Sequence, residues 1–270
     1  MSDQSAATPS TMHRPDTDTD TDIGWARRLR AVGRIVHMAI YLWRVSLIMR
    51  WRFETMDHAT QQANVRKWSA AVFHCLGAKL VVKGTPRPGA KLIVGNHVSW
   101  MDIAAINATV PSRFVSKAEV GQWPIVGRMV TLAGTIYLQR TSRRDAMRVM
   151  AQLTESLRDG HTAAVFPEGT TGDGHRLLHF HANLLQSAID ADVPVQPVAI
   201  RYSDAQHAIS PAAAYVGDTS LVQSLWWIAC AQDLTVNVTV LPPQRVDHAD
   251  RRALATRLHD EIAEALPSEL

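Results

Sequence analysis

A histidine and an aspartate five positions apart, His97 and Asp102, are the residues of this chain best placed to move a proton. They belong to the stretch Asn96-His97-Val98-Ser99-Trp100-Met101-Asp102. A short apolar run at 91–95 precedes it, ending on Gly95, and another apolar run at 103–106 follows. In one regular helix, residues five apart sit roughly 140° apart and cannot meet. For the two to touch, the chain must turn between them, with His97 on a loop and Asp102 in the first turn of a helix. A carboxylate bonded to one ring nitrogen fixes the imidazole tautomer and leaves the other nitrogen free to take a proton. Ser99 is the rival centre, as the nucleophile of an esterase or lipid hydrolase. It lacks the Gly-x-Ser-x-Gly elbow that presents such a serine.

A second stretch, Phe166-Pro167-Glu168-Gly169-Thr170-Thr171, follows an apolar run at 162–165. It puts a carboxylate, a glycine that lets backbone approach a ligand closely, and two hydroxyls at a strand end, where open α/β sheets gather their sites. Two shorter stretches accompany these: Gly134-Thr135-Ile136-Tyr137-Leu138-Gln139-Arg140 and Val193-Pro194-Val195-Gln196-Pro197-Val198.

In order and spacing, the four stretches resemble the 1-acylglycerol-3-phosphate acyltransferase (lysophospholipid acyltransferase) family, with its Asn-His-x4-Asp and Phe-Pro-Glu-Gly-Thr motifs, over residues 81–201. The resemblance implies transfer of a fatty acyl group from acyl carrier protein or coenzyme A to a lysolipid hydroxyl. His97 is then the base and Asp102 its orienting partner, and no cofactor is expected beyond the thioester donor. It also implies an acceptor site built from Asn96, Arg140, Glu168, Gly169, Thr170 and Thr171. Because a carboxylate repels phosphate, Glu168 is expected to meet acceptor hydroxyls or to anchor Arg140.

The chain departs from that pattern where many members carry an Arg or Lys after the second motif's Thr and a Phe-Lys pair further on. Here those places read Thr171-Gly172-Asp173-Gly174 and Phe180-His181. Fewer cations weaken the case for a phosphate head group. The Thr-Thr-Gly-Asp-Gly continuation looks like the lyso-ornithine lipid acyltransferase branch. The leading acceptor is 1-acylglycerol-3-phosphate, and lyso-ornithine lipid is the alternative. His175, His179 and His181 step by four and two, which matches no usual ligand pattern, so no metal site is expected. A non-catalytic lipid-binding protein would need neither His97 nor Asp102.

The elements that must position these residues follow from periodicity and turn signals. Strands are expected at 79–83, 91–95, 113–117, 135–139, 162–166, 195–201 and 234–241. Helices are expected at 102–109, 125–132, 143–158, 181–191, 219–230 and 247–266. This describes an α/β domain over 77–270, with an about seven-stranded, largely parallel or mixed sheet flanked by helices. A chain of 270 residues, 46% hydrophobic, holds one such domain and a small appendage, but not a polytopic membrane protein. Cys75 and Cys230 fall in apolar contexts and read as buried free thiols. The net charge of +3 is mild, and no nucleic-acid partner is expected.

The appendage is N-terminal. Residues 1–22, rich in Ser, Thr and Asp, read as a disordered tail without the features of a secretion signal. Residues 23–76 read as a membrane-interacting helical pair. Arg27, Arg30, Arg34, His37, Tyr41 and Arg44 step by 3, 4, 3, 4, 3, which is one face of a helix, with Trp25, Trp43 and Trp51 nearby. Each central Arg costs about 2.5–3.5 kcal/mol in a bilayer, which disfavours a span. The expected placement is monotopic, on the cytoplasmic face of the inner (plasma) membrane, with the basic face toward an anionic lipid surface. The competing arrangement packs that basic face on the catalytic domain.

Overall fold

A computed structural model of the chain describes residues 24–123, 125–138, 143–246 and 250–266. The tail proposed at 1–22 and Arg140 lie outside the described residues. Two helices lead, α1 (Trp25–Arg52) and α2 (His58–Leu76), joined by a 3₁₀ turn at Phe53–Thr55. The α/β domain follows as β1 (Lys79–Lys83), β2 (Lys91–Gly95), α3 (Met101–Thr109), β3 (Arg113–Lys117), α4 (Val126–Leu132) and β4 (Ile136–Leu138). It continues through α5 (Arg143–Arg158), β5 (Thr162–Val165), α6 (Gln186–Ala191), β6 (Val195–Ser203), α7 (Leu221–Cys230), β7 (Thr235–Val240) and α8 (Arg251–Ala265).

The seven strands form one mixed sheet in the order β1-β7-β6-β2-β5-β3-β4. Every pairing is parallel except β6 with β7. The period-2 alternation of buried strands sends neighbouring side chains to opposite layers. On β2, Ile93 joins Phe73, Met101, Ile106, Ile200 and Tyr202 on the face covered by α2, α3 and α7. Leu92 and Val94 join Leu153, Leu157, Leu185, Leu254 and Leu258 on the face covered by α5, α6 and α8. At the centre of the sheet, Gly95, the last residue of β2, aligns with Val198, and β6 continues five residues further. That overhang becomes the wall of the site.

Local rules explain the helix ends. Asp57 caps α2 by accepting from the Thr60 N–H at 2.9 Å. Gly77 ends it at φ 69°, a left-handed position that favours glycine, and the Ala78 N–H returns to the Phe73 carbonyl. The segment expected as one helix at 181–191 divides into a 3₁₀ turn, Ala182–Leu185, and α6.

The orientation of α1 corrects one expectation. Arg27 Nε donates to the Cys230 carbonyl at 2.6 Å, and Arg34 Nη1 donates to the carbonyls of Ala229 and Ala231 at 2.8 and 3.1 Å. These are the orphan acceptors at the end of α7, where the helix dipole also favours cations. The basic stripe therefore faces the protein at Arg27 and Arg34 instead of lipid. Ala31, Met38, Val45 and Met49 are buried on the same side. The outward face is a continuous apolar stripe: Trp25, Leu29, Val32, Val36, Ile40, Trp43, Leu47 and Trp51, all exposed. Arg28, Arg30, Arg44, Arg50 and Arg52 stay exposed along the helix.

Candidate active site

The site begins where β2 runs out. Asn96 is buried and serves as a surrogate strand residue. Its Nδ2 donates to the Ile200 carbonyl at 2.9 Å, and its Oδ1 accepts from the Ile200 N–H at 2.7 Å. Its side chain pairs with the backbone of β6, so Asn96 holds the loop. The chain then turns, and His97 leaves the plane of the sheet.

His97 Nδ1 lies 2.8 Å from Asp102 Oδ2, so the two residues meet across the loop as their spacing required. The same Oδ2 accepts the N–H groups of Val98 at 2.7 Å and Ser99 at 2.9 Å. Oδ1 accepts the Tyr202 hydroxyl at 2.5 Å. Asp102 is fully buried in the first turn of α3, where the helix dipole also favours its negative charge. An ionised Asp102 takes Nδ1–H, which leaves the lone pair on Nε2. Among the described residues, Nε2 has no hydrogen-bond partner. The His97 side chain is 19% exposed.

The second motif holds His97 from the other side. Its imidazole stacks on Phe166, with centroids 4.0 Å apart and planes within 4°. Its N–H donates to Glu168 Oε1 at 2.7 Å, and its carbonyl accepts the Gly172 N–H at 2.7 Å. The other oxygen of Glu168 accepts the Leu178 N–H at 3.0 Å. Glu168 is thus a buried brace between two loops. Burial pushes its carboxyl up from 4.5 to about 7, against the pull of those two backbone bonds.

Gly169 takes φ 70° at the tip of the same loop, and both it and Thr170 are exposed there. Thr171 is turned inward, its hydroxyl donating to the Tyr215 carbonyl. The Tyr215 N–H in turn donates to the Val98 carbonyl at 3.0 Å, tying the loop after β6 to the His97 loop. Of the expected acceptor residues, Gly169 and Thr170 face solvent, while the side chains of Asn96, Glu168 and Thr171 hydrogen-bond to backbone groups. Ser99 is fully buried, its Oγ facing the Met101 N–H at 3.4 Å. A serine closed off in this way cannot attack a lipid ester, and the esterase reading loses its nucleophile. His179 and His181 meet edge to face at 5.3 Å, and among the described residues no three His, Cys, Asp or Glu side chains converge on a metal site.

The Acyltransferase family profile matches residues 79–201. The chain is 39% identical over 176 residues to a 1-acyl-sn-glycerol-3-phosphate acyltransferase of Neisseria gonorrhoeae, covering 65% of this chain and 69% of that one. It is 36% identical over 211 residues to a lyso-ornithine lipid O-acyltransferase of Pseudomonas aeruginosa, covering 76% of this chain and 79% of the relative. The chain belongs to the acyltransferase family. Its fold matches the crystal structure of the 1-acyl-sn-glycerophosphate (LPA) acyltransferase PlsC from Thermotoga maritima with a TM-score of 0.70 and 20% identity, over 89% of this chain and 96% of that one. At that identity the likeness is one of fold.

Sequence reasoning missed two residues of the acyltransferase's site. Gly172 reaches His97 through its backbone, which no side-chain pattern reveals. Tyr202 follows the matched segment 79–201 by one residue. Its only signal was the alternation along β6, which puts it on the layer of Ile200 and α3.

Proposed function

We propose that this acyltransferase moves a fatty acyl group from acyl carrier protein or coenzyme A to the free hydroxyl of 1-acylglycerol-3-phosphate, giving phosphatidic acid, with His97 as general base. The observation that carries the mechanism is the His97 imidazole: Nδ1 tied to buried Asp102 at 2.8 Å, Nε2 open. Nε2 takes the hydroxyl proton as the oxygen attacks the thioester carbonyl, and Asp102 stabilises the imidazolium that forms. The tetrahedral intermediate collapses, the carbon–sulfur bond breaks, and the imidazolium returns its proton to the departing thiolate. No acyl-enzyme is needed. The exposed backbone at Gly169 and Thr170, with Arg140, receives the acceptor's head group.

Lyso-ornithine lipid is the second acceptor reading, favoured by the Thr171-Gly172-Asp173-Gly174 loop and by the relative from Pseudomonas aeruginosa. Against it, Glu168 is buried and each of its oxygens already accepts a backbone N–H, which favours a bracing role over contact with an ornithine ammonium. The enzyme's place is the membrane surface on its cytoplasmic side. The apolar stripe of α1 enters the lipid interface, and the exposed arginines along α1 meet anionic head groups.

One assay tests the assignment: purified enzyme, one labelled acyl thioester and each lysolipid in turn. Faster acylation of 1-acylglycerol-3-phosphate is the expected result. Ready acylation of lyso-ornithine lipid with only marginal use of lysophosphatidate overturns the acceptor. Release of free fatty acid without an acceptor overturns the reaction class.

A further inference from the structure

The buried hydroxyl of Tyr202 has no place in the two motifs, yet it completes the surroundings of Asp102. That carboxylate is fully buried and takes hydrogen bonds from His97 Nδ1, Val98 N and Ser99 N, all on Oδ2. Without Tyr202, Oδ1 would carry its share of the negative charge in a dry environment with no donor, a costly state. β6 is the longest strand of the sheet and outruns β2 by five residues, and that overhang carries Tyr202 over the His97 loop. The hydroxyl sits 2.5 Å from Oδ1, and its oxygen is left to accept from the Ser99 hydroxyl.

We propose that Tyr202 is a positioning residue for the His97–Asp102 pair: its hydroxyl fixes the plane of the Asp102 carboxylate and thereby aims Oδ2 at His97 Nδ1. The inference rests on His97 being the base. Burial and the neighbouring Asp102 charge push the Tyr202 hydroxyl well above its ordinary value of 10, so it remains a donor wherever the imidazole titrates. Among the described residues, the titratable groups that hydrogen-bond to His97 are Asp102 from α3 and Glu168 from the loop after β5; Tyr202 enters from β6.

The direction of the effect follows from charge. A donor on Oδ1 disperses the negative charge of Asp102. Removing it concentrates that charge on the oxygen facing His97, so the imidazolium holds its proton more tightly. A larger share of the enzyme is then in the form that cannot accept a proton. Tyr202→Phe keeps the ring and its packing and deletes only the donor.

The test compares wild type, Tyr202→Phe, His97→Ala and the double variant. It records kcat/KM across the pH range in which imidazole titrates, together with thermal melting. With labelled acyl thioester and lysolipid, the acid limb of Tyr202→Phe should move upward by about half a pH unit or more. On the His97→Ala background the same change should cost nothing further, because residues that act as a unit are not additive. A loss of equal size at every pH that repeats in the double variant overturns the proposal, since Tyr202 then only supports the fold. An unchanged profile overturns it as well. Full activity of His97→Ala strikes instead at the general-base reading beneath it, whatever Tyr202→Phe does.

Discussion

Replacing Arg34 by Ala should destabilise the fold and leave membrane binding intact. Arg34 Nη1 donates to the carbonyls of Ala229 at 2.8 Å and Ala231 at 3.1 Å, and its guanidinium occupies the space over Gly77 that a side chain there would fill. Hydrogen bonds to charged groups contribute about 1.5–3 kcal/mol each. Both bonds leave from one nitrogen of a partly exposed side chain, so about 2 kcal/mol for the pair is the working magnitude. For a domain of this size each kcal/mol moves the midpoint by about 2–4 °C, so melting should fall by about 4–8 °C. The assay pairs thermal melting in detergent with flotation on vesicles containing anionic lipid. An unchanged melting temperature together with lost flotation would refute the reasoning, because it would mean that this arginine meets lipid and not the end of α7.

Glu168 gives a pH dependence with a definite sign. Its folded value, about 7, lies above the ordinary 4.5, so its contribution to stability is full below about 4.5 and is lost as pH rises through about 7, by up to about 3 kcal/mol. Glu168→Gln should flatten that part of the melting-versus-pH curve, and an unaltered slope contradicts the assignment. On the outward face of α1, Ile40→Glu with Trp43→Glu should weaken flotation by roughly 1–3 kcal/mol per residue while changing stability by about 0.5 kcal/mol or less each; flotation equal to wild type would remove the stripe from the interface. Ser99→Ala should keep kcat within about tenfold of wild type, a barrier change of about 1.4 kcal/mol, and a loss of catalysis by several orders of magnitude would restore the serine as a nucleophile.

What the sequence disclosed and withheld divides along physical lines. Local periodicity located the sheet: Leu92, Ile93 and Val94 could only be a buried strand, and Gly95 followed by an apolar helical run announced the loop that carries His97. The five-residue spacing of His97 and Asp102 demanded a turn, and the turn is there. The bracing of His97 by Glu168 was not legible, because the carboxylate bonds a backbone N–H 71 residues away, and residue type does not say whether Glu168 faces a ligand or a neighbouring loop. The periodicity of α1 identified its stripes but not their direction. Arginines at 27 and 34 suit an anionic membrane and a helix C-terminus equally well, and only the carbonyls at the end of α7, 195 residues from Arg34, decide between them. Tyr202 stayed hidden because an aromatic residue in a buried strand looks like core until its hydroxyl is seen against Asp102.

The central claim is that His97 removes the proton from the acceptor hydroxyl. The most direct measurement is the rate at which wild type and His97→Ala transfer a labelled acyl chain from the thioester to 1-acylglycerol-3-phosphate, both proteins having matched circular dichroism and melting. His97 sits on a partly exposed loop, so the variant should fold, and loss of general-base help should lower the rate by about 10²–10⁴. Transfer by His97→Ala at the wild-type rate would contradict the account.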